Sequence, residues 1–65
     1  MIRAIVKRLS AGKPVYADLY DENKRQQQRL RVVRLALRAG GEVTLYGING
    51  EVVRLHPSRI MFTDH

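Results

Sequence analysis

Apolar residues Ile2, Ile5, Val6 and Leu9 recur at helical spacing near the start of the chain, while Arg3, Lys7 and Arg8 take the other sides. That pattern predicts a short N-terminal amphipathic helix, ended by Ser10-Ala11-Gly12-Lys13-Pro14. In "PVYADLY" the rhythm changes to a period of two. Val15, Ala17 and Leu19 alternate with Tyr16, Asp18 and Tyr20, which predicts a strand with a tyrosine-bearing face. Near the other end, "EVTLYGINGEVVRL" predicts a hairpin with the three-residue connection Ile48-Asn49-Gly50, in which Leu45 pairs with Val53 and Val43 with Leu55. Thr44, Tyr46, Val52 and Arg54 then share the opposite face. Pro57 cannot donate to a ladder, so "HPSR" breaks the pairing and "IMF" forms a last short strand before a polar tail.

The middle of the chain, nine polar residues from Asp21 to Arg29 followed by "LRVVRLALRAGG", supports two readings. The first is a helix over about 21–39. Asp21 is a good N-cap, Glu22 suits the positive end of a helix dipole, Arg38 falls in the last turn, and Gly40 sits where helices commonly end. This helix buries Leu30, Val33 and Leu37 and carries Lys24, Gln27, Arg31, Arg34 and Arg38 on another side. The second takes "YDENK" as a turn and "QQQRLRVVRLALRA" as one long strand. Leu30 and Val32 then point inward, a bulge at Val32-Val33 resets the phase, and Leu35 and Leu37 again point inward with Arg34 and Arg38 outward. Propensity favours the helix, which needs no irregularity. The expected fold is therefore α+β: a single small basic domain over residues 1–65, in which a short N-terminal helix and a central helix pack on a small antiparallel sheet that ends in the C-terminal hairpin.

"GEVVRLHPSRIMF", a strand, a short proline-containing break and another strand, resembles the closing part of SH3-like small barrels, including the Sm-like RNA-binding ones that begin with an N-terminal helix. The resemblance implies the alternative fold, a small β-barrel with an N-terminal helix. The middle departs from the Sm pattern, since "RLRVVRLALRA" lacks the glycine of the strongly bent second Sm strand.

Charge adds what periodicity does not. Residues 24–38 hold Lys24, Arg25, Arg29, Arg31, Arg34 and Arg38 with no acid, whereas the rest of the chain balances the other six basic groups against all six acidic ones. The entire net charge of +6 lies in one segment. A solvated helix face usually mixes signs, because opposite charges one turn apart stabilise and like charges repel. An all-basic run rich in arginine, the side chain suited to bidentate phosphate contacts, points instead to a polyanion. The expected function is a small accessory or regulatory protein that binds DNA or RNA through Lys24, Arg25, Gln27, Arg29, Arg31, Arg34, Arg38, Tyr46 and Arg54. Gln26 and Gln28 add neutral donors and acceptors, and Tyr16, Tyr20 and Tyr46 are candidates to stack on unpaired bases. The alternative is a protein-interaction module or small inhibitor that docks an acidic surface on a larger protein.

Other chemistry finds little footing. The chain has no cysteine, two histidines (His56 and His65) and no nucleophile motif, and its glycines fit neither the dinucleotide nor the phosphate-loop spacing. No catalytic residue, metal site or cofactor is expected, and His56 reads as the partly exposed end of a strand. Arg3, Lys7 and Arg8 interrupt the N-terminal apolar residues, and no apolar run reaches membrane-spanning length, so a cytoplasmic protein without a membrane partner is expected. A 65-residue chain buries only about 60% of its unfolded surface. A thin core of that kind favours a homodimer or higher oligomer.

Overall fold

The computed structural model describes residues 2–65. One short helix and five antiparallel strands make up the fold, which is mostly β. Helix α1 covers Ile2–Ser10, and strands follow at β1 Tyr16–Tyr20, β2 Gln26–Leu37, β3 Val43–Gly47, β4 Val52–Leu55 and β5 Ile60–Thr63. The strands are ordered β4-β3-β2-β1-β5, so β2 is the centre and β4 and β5 are the edges.

The central helix over 21–39 does not form. Asp21 to Arg25 make a turn instead: the Asp21 carboxylate accepts the Asn23 and Arg25 amides, and Lys24 adopts a left-handed φ of 63°. Gln26 onward is a strand of 12 residues. Tertiary pairing overrides the helical propensity of Gln, Arg, Leu and Ala. Residues 26–31 pair with β1, and residues 32–37 pair with β3. Without β2 those partners would be two separate ribbons, β1 with β5 and β3 with β4, and isolated two-stranded ribbons are marginal in water.

A bulge lets one strand serve both ladders. Val32 faces Gly47 and Arg34 faces Tyr46, so Val33 is the extra residue. Leu30 and Val32 point inward before it, and Leu35 resumes the inner face after it, opposite the fully buried Leu45. This is the phase reset that the long-strand reading requires. Of the three residues that a helix would bury, Leu30 stays in the core, but Val33 is 50% exposed and Leu37 68%, and Leu37 is exposed although the long-strand reading also turns it inward.

The core gathers Val15, Ala17 and Leu19 from the first strand segment, Leu30 and Val32 from β2, and Val43 and Leu45 from β3. Ile5 of α1 joins them, with Ile2 and Leu9 partly buried beside it. The C-terminal hairpin forms as the periodicity predicts. Val43 pairs with Leu55 and Leu45 with Val53, and Gly50 supplies a φ of 88° in the connection. The proline break is a single 3-10 turn, Pro57–Arg59, whose start is capped by the His56 ring accepting the Ser58 amide.

Val32 and Val33 are neighbours with opposite surroundings, 2% and 50% exposed. Val32→Asp should remove about 4 kcal/mol or more, because it buries an unpaired carboxylate, which is a large part of the total stability of roughly 3–10 kcal/mol for a chain of this length. Val33→Asp should cost less than about 1 kcal/mol. Urea titrations followed by far-UV circular dichroism check both, and a helix with Val33 buried would give the reverse order.

Candidate nucleic-acid interface

Alternation places the arginines of β2 together on the outer face of the sheet. Arg29 and Arg31 lie opposite Asp18 and Tyr16 of β1, and beyond the bulge Arg34 and Ala36 lie opposite Tyr46 and Thr44 of β3. Arg38, just past the strand, continues the row and donates from Nε to Thr44 Oγ1 at 2.9 Å. Arg54 on β4 sits across from Thr44. At about 3.3 Å per residue, Arg29 and Arg31 project about 7 Å apart, and the whole row runs up to about 30 Å.

These side chains are held in different ways. Arg29 is the most constrained: its guanidinium approaches Asp18 Oδ1 at 3.4 Å, donates to Thr63 Oγ1 and the His65 carbonyl, and lies 4.8 Å from the Tyr16 ring centre. Asp18 is 8% exposed and also accepts from Gln26 Nε2 at 3.0 Å. Arg34 lies over the Tyr46 ring at 5.2 Å. Arg54 pairs with Glu42 at 3.2 Å. Among the described residues, Arg31, Arg34 and Arg38 have no acidic partner, so their charge faces solvent unneutralised. At the end of the chain a hydrogen bond from the His65 ring to Asp64, 2.6 Å long, holds that carboxyl below its ordinary range.

The sequence-predicted residues therefore divide into two groups. Arg29, Arg31, Arg34, Arg38, Tyr46 and Arg54 share one face. Lys24 and Arg25 sit in the exposed turn that precedes β2, and Gln27 is tied to that turn by its amide donating to Asp21 Oδ2 at 2.9 Å. The helical stripe Lys24, Gln27, Arg31, Arg34 and Arg38 is replaced by this strand face, which takes in Arg29 and leaves Lys24 at its tip. Tyr16 and Tyr46 each have an arginine over the ring, so on that side the exposed plane is a guanidinium rather than a phenol ring.

Two residues of the face have roles that periodicity alone does not show. Asp18 belongs to the tyrosine-bearing face of β1, and only the pairing of β1 with β2 sets it opposite Arg29. Thr44, 2% exposed on the outer side, is buried beneath Arg38 and its neighbours. Among the described residues no three His, Cys, Asp or Glu side chains gather as a metal site would require, and no helix is long and apolar enough to cross a membrane. Comparison with models of known families, with curated proteins and with solved structures finds no match.

Asp18→Ala would leave Gln26 and Arg29 without their shared acceptor. The expected loss is about 1–3 kcal/mol in urea denaturation, the usual cost of removing a largely buried, charged hydrogen-bond partner. A change below a few tenths would show that Asp18 does not anchor the face.

Proposed function

We propose that this protein binds nucleic acid across the outer face of β2, with single-stranded DNA or RNA as the preferred form. The observation that carries the reading is the unneutralised row Arg31, Arg34 and Arg38, extended by Arg29 and by Lys24 and Arg25 at its tip. Like charges at this spacing repel one another, and a polyanion that releases its counterions on binding relieves the repulsion. An extended row suits an extended strand. Arg29 and Arg34, each lying on a tyrosine, present flat guanidinium planes on which bases can stack, and the exposed glutamines supply hydrogen bonds without sequence preference.

The finer fold reading belongs to the same proposal. The bent central strand shared by two ladders, the N-terminal helix and the single 3-10 turn before the last strand support an SH3-like or Sm-like small barrel. The role proposed is that of a non-enzymatic accessory or regulatory factor. Two or more copies joined at the unpaired edges β4 and β5 would lengthen the basic face and thicken the core.

Fluorescence anisotropy with labelled single-stranded DNA and RNA dodecamers tests the proposal. Binding should weaken steeply as salt rises. Changing Arg31, Arg34 and Arg38 together to Gln should lower the slope of log affinity against log salt by about 2, from roughly 0.7 per phosphate contact. All three positions lie on the solvent side, so the variant should remain folded. Absence of binding to either oligonucleotide at low salt would overturn the proposal.

A further inference from the structure

A second surface lies where α1 crosses the bulge. Val6, Leu9 and Ser10 from the helix face Val33, Arg34 and Leu35 from β2 across a shallow groove of about 230 Å³. A second depression of about 170 Å³, lined by Leu9, Gly12, Lys13, Arg31, Val32 and Val33, shares Leu9 and Val33 with it. The two adjoin at Leu9 and Val33 and together make a channel lined by apolar and basic side chains. Val6 and Val33, which both line the groove, are 44% and 50% exposed. Val33 is present because it is the extra residue of the bulge, turned out of the regular ladder.

The size and charge of the channel narrow what can occupy it. Each depression is smaller than the roughly 300–1,000 Å³ of a typical small-molecule site, which suits one anchoring side chain apiece. Among the described residues no acid lines either depression, and Lys13, Arg31 and Arg34 do, with exposed Arg3 and Lys7 farther around the helix. The first acid in the chain is Asp18. A second copy, with the same positive rim, would be repelled. We infer that this channel docks a short acidic segment of a partner protein, with one or two large apolar side chains seated on Val6, Leu9, Val33 and Leu35 and carboxylates paired with Lys13, Arg31 and Arg34. The inference does not depend on nucleic-acid binding. Because Arg31 and Arg34 serve both surfaces, the acidic segment and a nucleic acid would exclude one another.

The test is a ¹⁵N-HSQC titration at physiological salt. The probes are a synthetic peptide of Glu, Asp, Leu and Phe, the same peptide with every Leu and Phe replaced by Ser, and vesicles of anionic phosphatidylglycerol. The channel predicts that the first peptide shifts the amides of Val6, Leu9, Ser10, Val33 and Leu35, that the serine peptide binds at least tenfold more weakly, and that Val33→Asp weakens the first peptide by a similar factor. Wild-type protein carries the comparison between peptides, so it holds even if that variant misfolds. Equal affinity for the two peptides, or shifts confined to Arg29, Arg38 and Tyr46, would reduce the effect to charge alone and overturn the inference. No shift at millimolar peptide would do the same. Vesicle binding without peptide binding would assign the surface to lipid and reject a protein segment.

Discussion

The backbone pairing of β2 is the constraint on which the rest depends. It is the central strand of five, and both neighbours hydrogen-bond to it over different halves of its length. A strand with strict alternation could not do this with the sequence it has. Val32 and Leu35 are three residues apart, and both must reach the core. One extra residue between them, Val33, reconciles the two halves and keeps every arginine of the row in solvent. Core packing and the basic face are thus two consequences of one irregularity.

Electrostatics then shapes the outer face rather than holding the fold. Its most organised part is centred on Asp18, a nearly buried carboxylate that draws in Gln26 and Arg29 and steadies Arg29 over Tyr16. Exposed ion pairs such as Arg54 with Glu42 contribute at most about 1 kcal/mol. Among the described residues Arg31, Arg34 and Arg38 contribute no ion pair, and their proximity costs some repulsion. The domain tolerates this on one face while the remainder of the chain is charge-balanced.

Much of this was legible in the residues. The helix over Ile2–Ser10, the strand containing Ala17 and Leu19, and the hairpin with its Leu45–Val53 and Val43–Leu55 pairs all follow from local periodicity and turn chemistry. The decisive miss was residues 21–39. Leu30, Val33 and Leu37 form a plausible helical stripe, and Asp21 and Gly40 are plausible caps, so propensity favours the helix over the long strand with a bulge at Val32-Val33 that the same residues also allow. What decides against it is non-local: two ladders need a shared partner, and no short-range rule records that need. The composition of the face survived the error because the arginines are arginines in either geometry. Its shape did not, and neither Asp18 beside Arg29 nor the guanidinium planes over Tyr16 and Tyr46 could be seen without the register.

The most direct measurement is a backbone-resolved NMR titration with a single-stranded oligonucleotide at low salt. Amide and guanidinium perturbations should run along Arg29, Arg31, Arg34 and Arg38 and cross to Tyr46, with interstrand contacts between Ala17 and Leu30 and between Leu35 and Leu45 retained. Perturbations confined to α1 or to the edge strands, or helical connectivities through residues 26–37, would contradict it.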